Sequence, residues 1–454
     1  MKTEKLKQNV KGYVHQFEDG GLRLLRKGQK GVIHAIFSRF GLVLILLLLQ
    51  VGLLFSIFRW FGNLWPHYFG GSVVVTSAMV IYLLNSKMDN SAKITWMVVV
   101  AIAPVVGIPM FFYVKSNFGH NILRKRLLEL EDQLRGWLPQ SQKAVEQLKV
   151  LEPGAASLAK YLYGRGGGFP VYQNTAMTYF PGGEAKFEEL LRQLETAEEY
   201  IFVEYFIIDE GLMWGKILEV LARKALQGVD VRVMYDGTCE FSTLPRNYPR
   251  LLEKLNIQCK VFSPVQPFVS THYNYRDHRK ILVIDGRVGF TGGVNLADEY
   301  INHIQKHGRW KDAAVMLEGE AVRSLTAQFL QMWGILKEPE YEQFLTRPIP
   351  VPENAKGVAA PYGDCPLDGE RVGEMVYIDL LNRARDYIHI MTPYLILDGE
   401  LETALKFAAE RGVDVHLILP GKPDKRFPYA LAKSHYSALL DSGVKISEWR
   451  ARCI

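Results

Sequence analysis

Apolar residues are concentrated in the N-terminal quarter of the chain. Residues 41–58 (GLVLILLLLQVGLLFSIF) form a run of 18 positions without a charge, about the length that crosses a hydrocarbon core. Two further apolar stretches follow, at about 68–84 and 94–114. Three such stretches so close together are too apolar for the buried helices of a soluble core. The pattern therefore predicts a membrane region over residues 41–115.

The charges around these stretches predict their orientation. Residues 1–40 carry nine Lys or Arg against three acidic residues, which favours a basic tail on the cytoplasmic side. The third stretch contains Pro104, Gly107 and Pro109, so it can be an ordinary span or a broken, re-entrant helix. We expect two full spans plus this segment, with the chain after about residue 115 in the cytoplasm.

The rest of the chain alternates between helical and strand patterns. Residues 116–160 combine helical periodicity with mixed charge, which predicts a connector of solvated amphipathic helices. One pattern then occurs twice: a helix, an apolar aromatic strand (197–208 and 384–397), a second helix, and a strand that begins GVDV. This duplication predicts an α/β fold with mainly parallel sheets, in two repeats over 161–350 and 351–454.

Composition adds little to this picture. The chain has 54 Lys and Arg against 48 Asp and Glu, a net charge of +6 that suits an anionic partner without identifying one. The four cysteines are widely separated and form no CxxC pair, so neither a zinc knuckle nor a disulfide framework is indicated. No metal-ligand cluster is visible in the sequence, and we expect neither a metal nor another cofactor.

The chemically distinctive stretch is DHRKILVIDGRVGFTGGVN, residues 277–295, which contains the spacing HxKxxxxD. The apolar run after Lys280 predicts a strand, so His278 and Lys280, two residues apart, should point to the same face. An imidazole can attack phosphorus to form a phosphohistidine, and an ammonium can hold the nonbridging oxygens in the transition state. Asp285 lies near the end of the strand, where a turn or orienting role is as consistent as direct chemistry.

Other residues near this stretch are candidates for substrate contact. The flexible Gly292 and Gly293 precede Asn295, whose amide could add a neutral donor to the same phosphate. Glu204 and Asp236 end strands of the first repeat and could orient the histidine, bind polar substrate or be ordinary strand-end acids. Weaker candidates, which could equally be packed or solvated loop residues, are Tyr273, Tyr275, Arg276, Lys422, Lys425 and Arg426.

Taken together, these motifs resemble those of bacterial cardiolipin synthases of the phospholipase D superfamily. The resemblance covers nearly all of residues 70–449 and rests on YFPGGEAKF, VEYFII, YDG, DHRKILVIDG, FTGGVN, TPY and LPGKPDKR. It implies a phosphatidyltransferase that acts on phosphatidylglycerol and other anionic phospholipids in the bacterial plasma membrane. The residues implied as catalytic are His278, Lys280 and Asp285, and those implied near the substrate are Asn295, Gly292, Gly293 and Glu204.

The resemblance also implies a reaction. One phosphatidylglycerol would give its phosphatidyl group to His278, glycerol would leave, and a second phosphatidylglycerol would take the group to form cardiolipin. In the family enzyme a histidine from a second HxKxxxxD motif protonates the leaving alcohol, a kind of catalysis typically worth roughly 10² to 10⁴ in rate. This sequence contains the motif once, so we expect a second repeat that stops before its motif.

Several alternatives follow from that single motif. A partner chain in a homo-oligomer could supply the missing acid in trans. The chain could also be an inactive, truncated remnant, or another phosphodiesterase of the phospholipase D type, including a nuclease. The predicted membrane spans argue against the nuclease, so we expect no nucleic-acid partner.

Overall fold

The computed structural model describes most of the chain in two compact units. The described residues are 15–16, 22–23, 65–115, 120–264, 275–305 and 308–449. The smaller unit takes in residues 27–121 and 266–274, and the larger unit takes in residues 1–26, 122–265 and 275–454. Apart from residues 266–274 of the first, both predicted repeats therefore belong to the larger unit.

The described part of the smaller unit consists of apolar helices. These are α1 (Trp65–Leu84), α2 (Asn90–Ile102) and α3 (Pro104–Lys115). Asp89 caps α2, because its Oδ1 accepts hydrogen bonds from the backbone N–H groups of Ser91 and Ala92. The third apolar stretch is divided between α2 and α3, since Pro104 lacks a backbone N–H and disfavours helical geometry at the residue before it.

The structure describes residues 65–115 of the predicted membrane region. Its first predicted span, residues 41–58, lies outside the described residues. Within the described part of the chain, no helix has both the length and the apolar character needed to cross a membrane. The prediction of transmembrane helices at 68–84 and 94–114 is therefore not supported. For the second of these stretches the reason is its division into helices of 13 and 12 residues, each shorter than the ~20 residues of a span.

The larger unit opens with short elements and the predicted connector. Its first elements are the antiparallel pair β1 (His15–Gln16) and β2 (Leu22–Arg23), followed by the helices α4 (His120–Trp137), α5 (Gln142–Leu151) and α6 (Pro153–Gly164). The helix α4 is amphipathic, because Leu130 and Leu134 are buried whereas Asp132 and Gln133 are exposed. The Arg124 side chain of α4 donates to the carbonyl oxygen of Leu367 at 2.8 Å, which joins the helix to the first part of the second repeat.

The first repeat is built on a seven-stranded sheet with the order β3-β9-β8-β7-β4-β5-β6. Its strands are β3 (Thr175–Phe180), β4 (Tyr200–Tyr205), β5 (Asp230–Asp236), β6 (Gln258–Phe262), β7 (Lys280–Ile284), β8 (Val288–Gly292) and β9 (Ala314–Gly319). Only β4–β5 and β5–β6 pair in parallel. The expectation of a mainly parallel sheet is therefore wrong for this repeat. A three-residue turn returns the chain from β7 to β8, and so short a connection permits only antiparallel pairing.

Helices cover both faces of this sheet. They are α7 (Gly183–Leu194), α8 (Leu212–Leu226), α9 (Cys239–Ser242), α10 (Tyr248–Glu253), α11 (Val322–Trp333) and α12 (Tyr341–Leu345), with a 3₁₀ turn at Gly334–Leu336. On one face, Trp214 of α8 and Leu190 of α7 are fully buried against the sheet. On the other face, Phe202 of β4 stacks on Phe329 of α11, with ring centroids 4.4 Å apart. The sheet is therefore enclosed, and polar groups on its inner strands are shielded from water.

The second repeat has a parallel sheet of three strands in the order β10-β11-β12. Its elements are β10 (Tyr387–Met391), β11 (Asp414–Pro420), β12 (Lys445–Trp449), α13 (Val372–Arg383), α14 (Gly399–Glu410), α15 (Arg426–Ser434) and α16 (Tyr436–Asp441). Order and pairing repeat those of β4, β5 and β6, as the duplication predicts. On one sheet face Tyr387 and Met391 are 66% and 46% exposed, whereas the corresponding Tyr200 and Glu204 of the first repeat are buried.

Candidate active site

The HxKxxxxD motif lies at the start of β7, beside the end of β4. Lys280 Nζ lies 3.1 Å from His278 Nδ1 and donates to the His278 carbonyl oxygen at 2.6 Å. The structure therefore brings the two side chains together, as the strand period predicts. Lys280 is buried, whereas His278 reaches solvent with its ring against Phe206, at a centroid distance of 4.5 Å.

The surroundings set the charges of these two groups. The pKa of His278 is lowered to about 4, first because neighbouring groups desolvate part of the ring, and then because the charges of Lys280 and Lys425 oppose a third positive charge. Burial lowers the pKa of Lys280 to about 8, although the carboxylates of Asp277 and Asp312 act in the opposite direction. Near pH 7 the imidazole of His278 is therefore neutral, and the amine of Lys280 beside it is mostly protonated.

Two ionisable residues that the sequence reasoning did not single out lie near Lys280. Lys186 on α7 is only 1% exposed, and its Nζ donates to the Tyr205 hydroxyl at 3.0 Å and to the Val294 carbonyl at 3.1 Å. Asp312, just before β9, acts electrostatically on both lysines, and burial raises its pKa. Lys186 stands in the YFPGGEAKF stretch, so that stretch was the available signal. The local sequence around Asp312 carries no comparable signal.

Gly292 and Gly293 allow the end of β8 to approach the segment that holds Asp312. Gly292 has φ of +140°, and a Cβ on it would lie 2.6 Å from the Ala313 carbonyl oxygen. A Cβ on Gly293 would lie 2.0 Å from Asp312 Oδ1, closer than any real contact. These positions therefore require glycine for backbone conformation and space. Gly292 also lines the cleft beside His278, so substrate contact at this position stays a prediction.

The Asn295 amide is already engaged within the protein. Its Oδ1 accepts a hydrogen bond from the Ile207 backbone N–H at 3.0 Å, and its Nδ2 donates to the Tyr300 hydroxyl at 2.8 Å. The side chain is buried and joins the segment after β4 to the one after β8. The amide nitrogen has two hydrogens, so one N–H of Asn295 remains available to donate. Donation of that hydrogen to a phosphate stays a prediction.

Asp285 does not reach the histidine. Its carboxylate accepts hydrogen bonds at 2.8 to 2.9 Å from the backbone N–H groups of Glu198, Glu199 and Tyr200. It follows the last residue of β7, whereas Lys280 is the first, a separation of about 16 Å along a strand. The implied role of Asp285 in direct chemistry is therefore corrected: this carboxylate fastens the start of β4 to the turn after β7.

The prediction that Glu204 binds substrate is also wrong. Glu204 is fully buried, with its Oε1 3.7 Å from the Arg279 guanidinium. Burial, followed by the nearby Asp277 carboxylate, raises the pKa of Glu204 well above its usual value. A protonated acid in this position can share its proton with Asp277 but cannot reach a ligand. An orienting role and that of an ordinary strand-end acid are both compatible with this geometry.

Asp236 likewise forms hydrogen bonds with the backbone next to the motif. It is fully buried and accepts hydrogen bonds from the backbone N–H groups of Thr238 and Asp277, at 2.8 and 2.9 Å. Arg276, proposed as a headgroup contact, lies 3.5 Å from the same carboxylate and also donates to the Ser263 carbonyl. Asp236 therefore holds the two residues immediately before His278.

A cleft of about 810 Å³ opens beside His278. Its walls come from the motif, from α11 and from the segment that leads into α13, and they include Tyr275, Gln328, Tyr362, Glu370 and Arg371. The apolar part of the lining includes Leu325 and Leu367. Tyr273, the other tyrosine suggested by the sequence, lies outside the described residues. The lining of the cleft therefore combines polar and apolar side chains.

The second repeat also reaches this site through the loop after β11. The Tyr394 hydroxyl donates to the Asp424 carboxylate, and Lys425 Nζ lies 5.2 Å from the centre of the Tyr394 ring. The Lys425 charge is close enough to depress the pKa of His278, and that of Asp424 acts on Tyr300. The structure shows no comparable effect of Lys422 or Arg426 on His278 within the described residues. Lys425 is thus the cation of the LPGKPDKR loop whose charge acts on His278.

One group of acids in the described residues has the spacing of metal ligands. The carboxylates of Glu374, Asp398 and Glu400 lie within 4.8 Å of one another. Arg371 already pairs with Glu374 at 2.9 Å and with Asp398 at 3.2 Å, so part of this negative charge is compensated. The reaction considered for His278 has no step that calls on this group.

The similarity of this chain to known proteins extends over both repeats. A family model described as "Cardiolipin synthase, PLD-like domain" matches residues 190–333 and 377–453. The chain is 34% identical over 383 residues to a cardiolipin synthase of Geobacillus kaustophilus, covering 83% of this chain and 74% of that protein. It is 55% identical over 371 residues to an uncharacterized protein of Streptococcus mutans, covering 82% and 80%.

Among solved structures, the phosphatidylserine synthase of Haemophilus influenzae is similar over 65% of this chain and 77% of that one, with 13% identity and a TM-score of 0.43. That similarity is too weak to support an argument. The assignment rests instead on the match to both repeats and on the identity to the Geobacillus protein over most of both chains. The chain belongs to the cardiolipin synthase family of the phospholipase D superfamily.

Proposed function

We propose that this chain is a phosphatidyltransferase that joins two molecules of phosphatidylglycerol to give cardiolipin and glycerol, with His278 as the nucleophile. The observation that carries the proposal is the neutral imidazole of His278 beside the ammonium of Lys280, 3.1 Å from nitrogen to nitrogen. This pair combines a nucleophile for phosphorus with a cation for the phosphate oxygens. Membership of the cardiolipin synthase family supports the choice of substrate.

The first step is attack on the donor lipid. Because Lys280 faces Nδ1, the ring nitrogen available to the phosphate is Nε2. When phosphate oxygens draw the ammonium away from the ring, the ring proton can reside on Nδ1 and leave the Nε2 lone pair free. An Nε2–P bond then forms, the P–O bond to glycerol breaks, and the glycerol oxygen takes a proton from water or from a donor of a second copy of the chain. Lys280 stabilises the charge on the nonbridging oxygens throughout.

The second step regenerates the histidine. The hydroxyl of a second phosphatidylglycerol attacks the phosphohistidine, loses its proton, and displaces Nε2 from phosphorus. Water in place of that hydroxyl would give phosphatidic acid, so the choice of acceptor decides between transfer and hydrolysis. The mixed lining of the cleft, with Gln328 beside Leu325, favours an acceptor that brings hydrocarbon with its hydroxyl group.

We place this reaction at the bacterial plasma membrane, because both substrates and the product are bilayer lipids. Exposed apolar side chains in the smaller unit support contact with lipid: Val74, Ile102 and Phe112 are 69%, 80% and 49% exposed. A second copy of the chain is the partner that could supply a further proton donor in trans.

The test is cardiolipin formation by the full chain on phosphatidylglycerol vesicles, with lipids and glycerol measured by mass spectrometry. Lipid labelled with ³²P in its phosphate should leave an acid-labile label on the protein, and His278→Ala should remove both label and product. The matched control is His416→Gln, a histidine on β11 in the second repeat. Product formation that survives His278→Ala would refute the proposal. Label without cardiolipin would reduce the function to phosphodiester cleavage.

A further inference from the structure

Lys186 is a fully buried lysine that the proposed reaction does not use. Its ammonium nitrogen reaches two structures that border the active site, the Tyr205 hydroxyl at 3.0 Å and the Val294 carbonyl at 3.1 Å. Tyr205 pairs with Lys280 across β4 and β7, and Val294 immediately precedes Asn295. Lysine side chains are almost never fully buried unless they are paired. This position therefore needs a physical explanation.

The charges around Lys186 come from the catalytic motif and its neighbour. Facing it are Tyr205 on β4, Lys280 on β7 and Asp312 before β9. Burial, together with the like charge of Lys280, lowers the pKa of Lys186 to about 7, and Asp312 opposes this change. Among the described residues, α8 and β3, which also pack against α7, place no charge that shifts this pKa. Just above neutral pH, Lys186 is mostly an uncharged amine beside one cation and one anion.

We propose that Lys186 is a reserve cation of the phosphate site, which takes up a proton when an anion binds at Lys280. An anion at Lys280 adds negative charge beside a buried amine whose protonation is limited by burial and by a neighbouring cation. Protonation then restores the balance of charge without a large movement, because the amine already lies beside the motif. Lys186 thereby acts through Lys280 and is a positioning residue rather than a catalytic one.

This coupling has a thermodynamic consequence. If anion binding raises the pKa of Lys186, protons must promote anion binding in return. Affinity for a phosphate-like anion should therefore fall as the pH rises through the pKa of Lys186 near 7. A lysine that only formed structural hydrogen bonds would not make the anion affinity depend on pH in this way. The inference rests on the proposed phosphate chemistry at His278.

The experiment measures proton uptake during anion binding. Tungstate is the probe, because it remains a dianion near neutral pH and does not itself exchange protons there. Calorimetric titration of the full chain, in buffers with different ionisation enthalpies, gives the number of protons bound with each tungstate. We expect uptake by the unmodified chain just above pH 7 and a lower uptake by Lys186→Met. Loss of tungstate binding in Lys280→Met would place the anion at the motif.

The matched control is Lys224→Met. Lys224 is another buried lysine, and its Nζ donates to the carbonyls of Glu195 and Ala197 at the opposite end of β4. Its replacement should lower stability but leave proton uptake unchanged. Because Lys186→Met could unfold, lysine side-chain NMR of the unmodified chain supplies a second measurement. The titration midpoint of Lys186 should move to higher pH when tungstate is added.

The outcomes separate this inference from the proposed function. Tungstate binding with equal proton uptake in Lys186→Met, or a Lys186 midpoint that tungstate does not move, would overturn the role of Lys186 alone. Absence of tungstate binding to the folded, unmodified chain would also overturn the role of Lys186, whereas the proposed function is decided by the cardiolipin assay. Cardiolipin formation is assayed independently, so an active enzyme with no coupled proton uptake would retain its function and lose the reserve cation.

Discussion

Replacement of Asp285 distinguishes a structural carboxylate from a catalytic one. Its carboxylate receives three backbone hydrogen bonds of 2.8 to 2.9 Å at the start of β4. A hydrogen bond to a charged group contributes about 1.5 to 3 kcal/mol, but the N–H groups of Glu198 and Glu199 can be rehydrated. We therefore estimate that loss of these hydrogen bonds lowers the free energy of unfolding by about 2 to 3 kcal/mol. Asp285 has φ of +50°, and alanine in that region costs roughly another 1 kcal/mol.

Asp285→Ala should therefore lower the free energy of unfolding by about 3 to 4 kcal/mol. Asp285→Asn tolerates the positive φ and keeps one acceptor, so it should lose about half as much. Urea unfolding followed by circular dichroism measures both, with the exposed Glu188→Ala as a control that should unfold like the unmodified chain. Well below the unfolding transition, both Asp285 variants should keep their cardiolipin-forming rate. An Asp285→Ala protein with normal stability and no activity would refute this reasoning.

Three further predictions concern the site itself. The rate should fall as the pH drops through about 4, because protonation of His278 removes its nucleophilic lone pair; a pH profile of phosphohistidine formation checks this. Lys425→Gln removes a cation near His278, so NMR should show the pKa of its imidazole rising above that value, and an unchanged pKa would place Lys425 elsewhere. Gly293→Ala would put a Cβ 2.0 Å from Asp312 Oδ1, so activity and thermal stability should both fall, whereas the exposed Gly399→Ala should change neither.

Features that depend on a few neighbouring residues could be predicted from the sequence. The apolar run after Lys280 is the strand β7, and the spacing of His278 and Lys280 puts their side chains in contact. The duplicated pattern corresponds to two sets of three parallel strands, β4–β5–β6 and β10–β11–β12. Strand periodicity and internal repetition are written in adjacent residues, so no knowledge of distant contacts is needed to detect them.

The remaining features depend on contacts between distant parts of the chain. The antiparallel pairing of β7 with β4 places Asp285 against the start of β4 and buries Glu204, which argues against direct chemistry for the first and substrate contact for the second. Lys186 and Asp312 come near Lys280 only because α7 and the segment before β9 pack around the same strand ends.

The sequence by itself therefore determined the proposed nucleophile, the lysine beside it, the repeated architecture and the family. Tertiary structure decided which acids support the motif, which glycines are required for space, and which cations act on His278. The physical reason is that a strand's period follows from backbone geometry, whereas burial and charge interactions depend on distances in space. Those distances are set by packing across the whole domain, and no short sequence pattern records them.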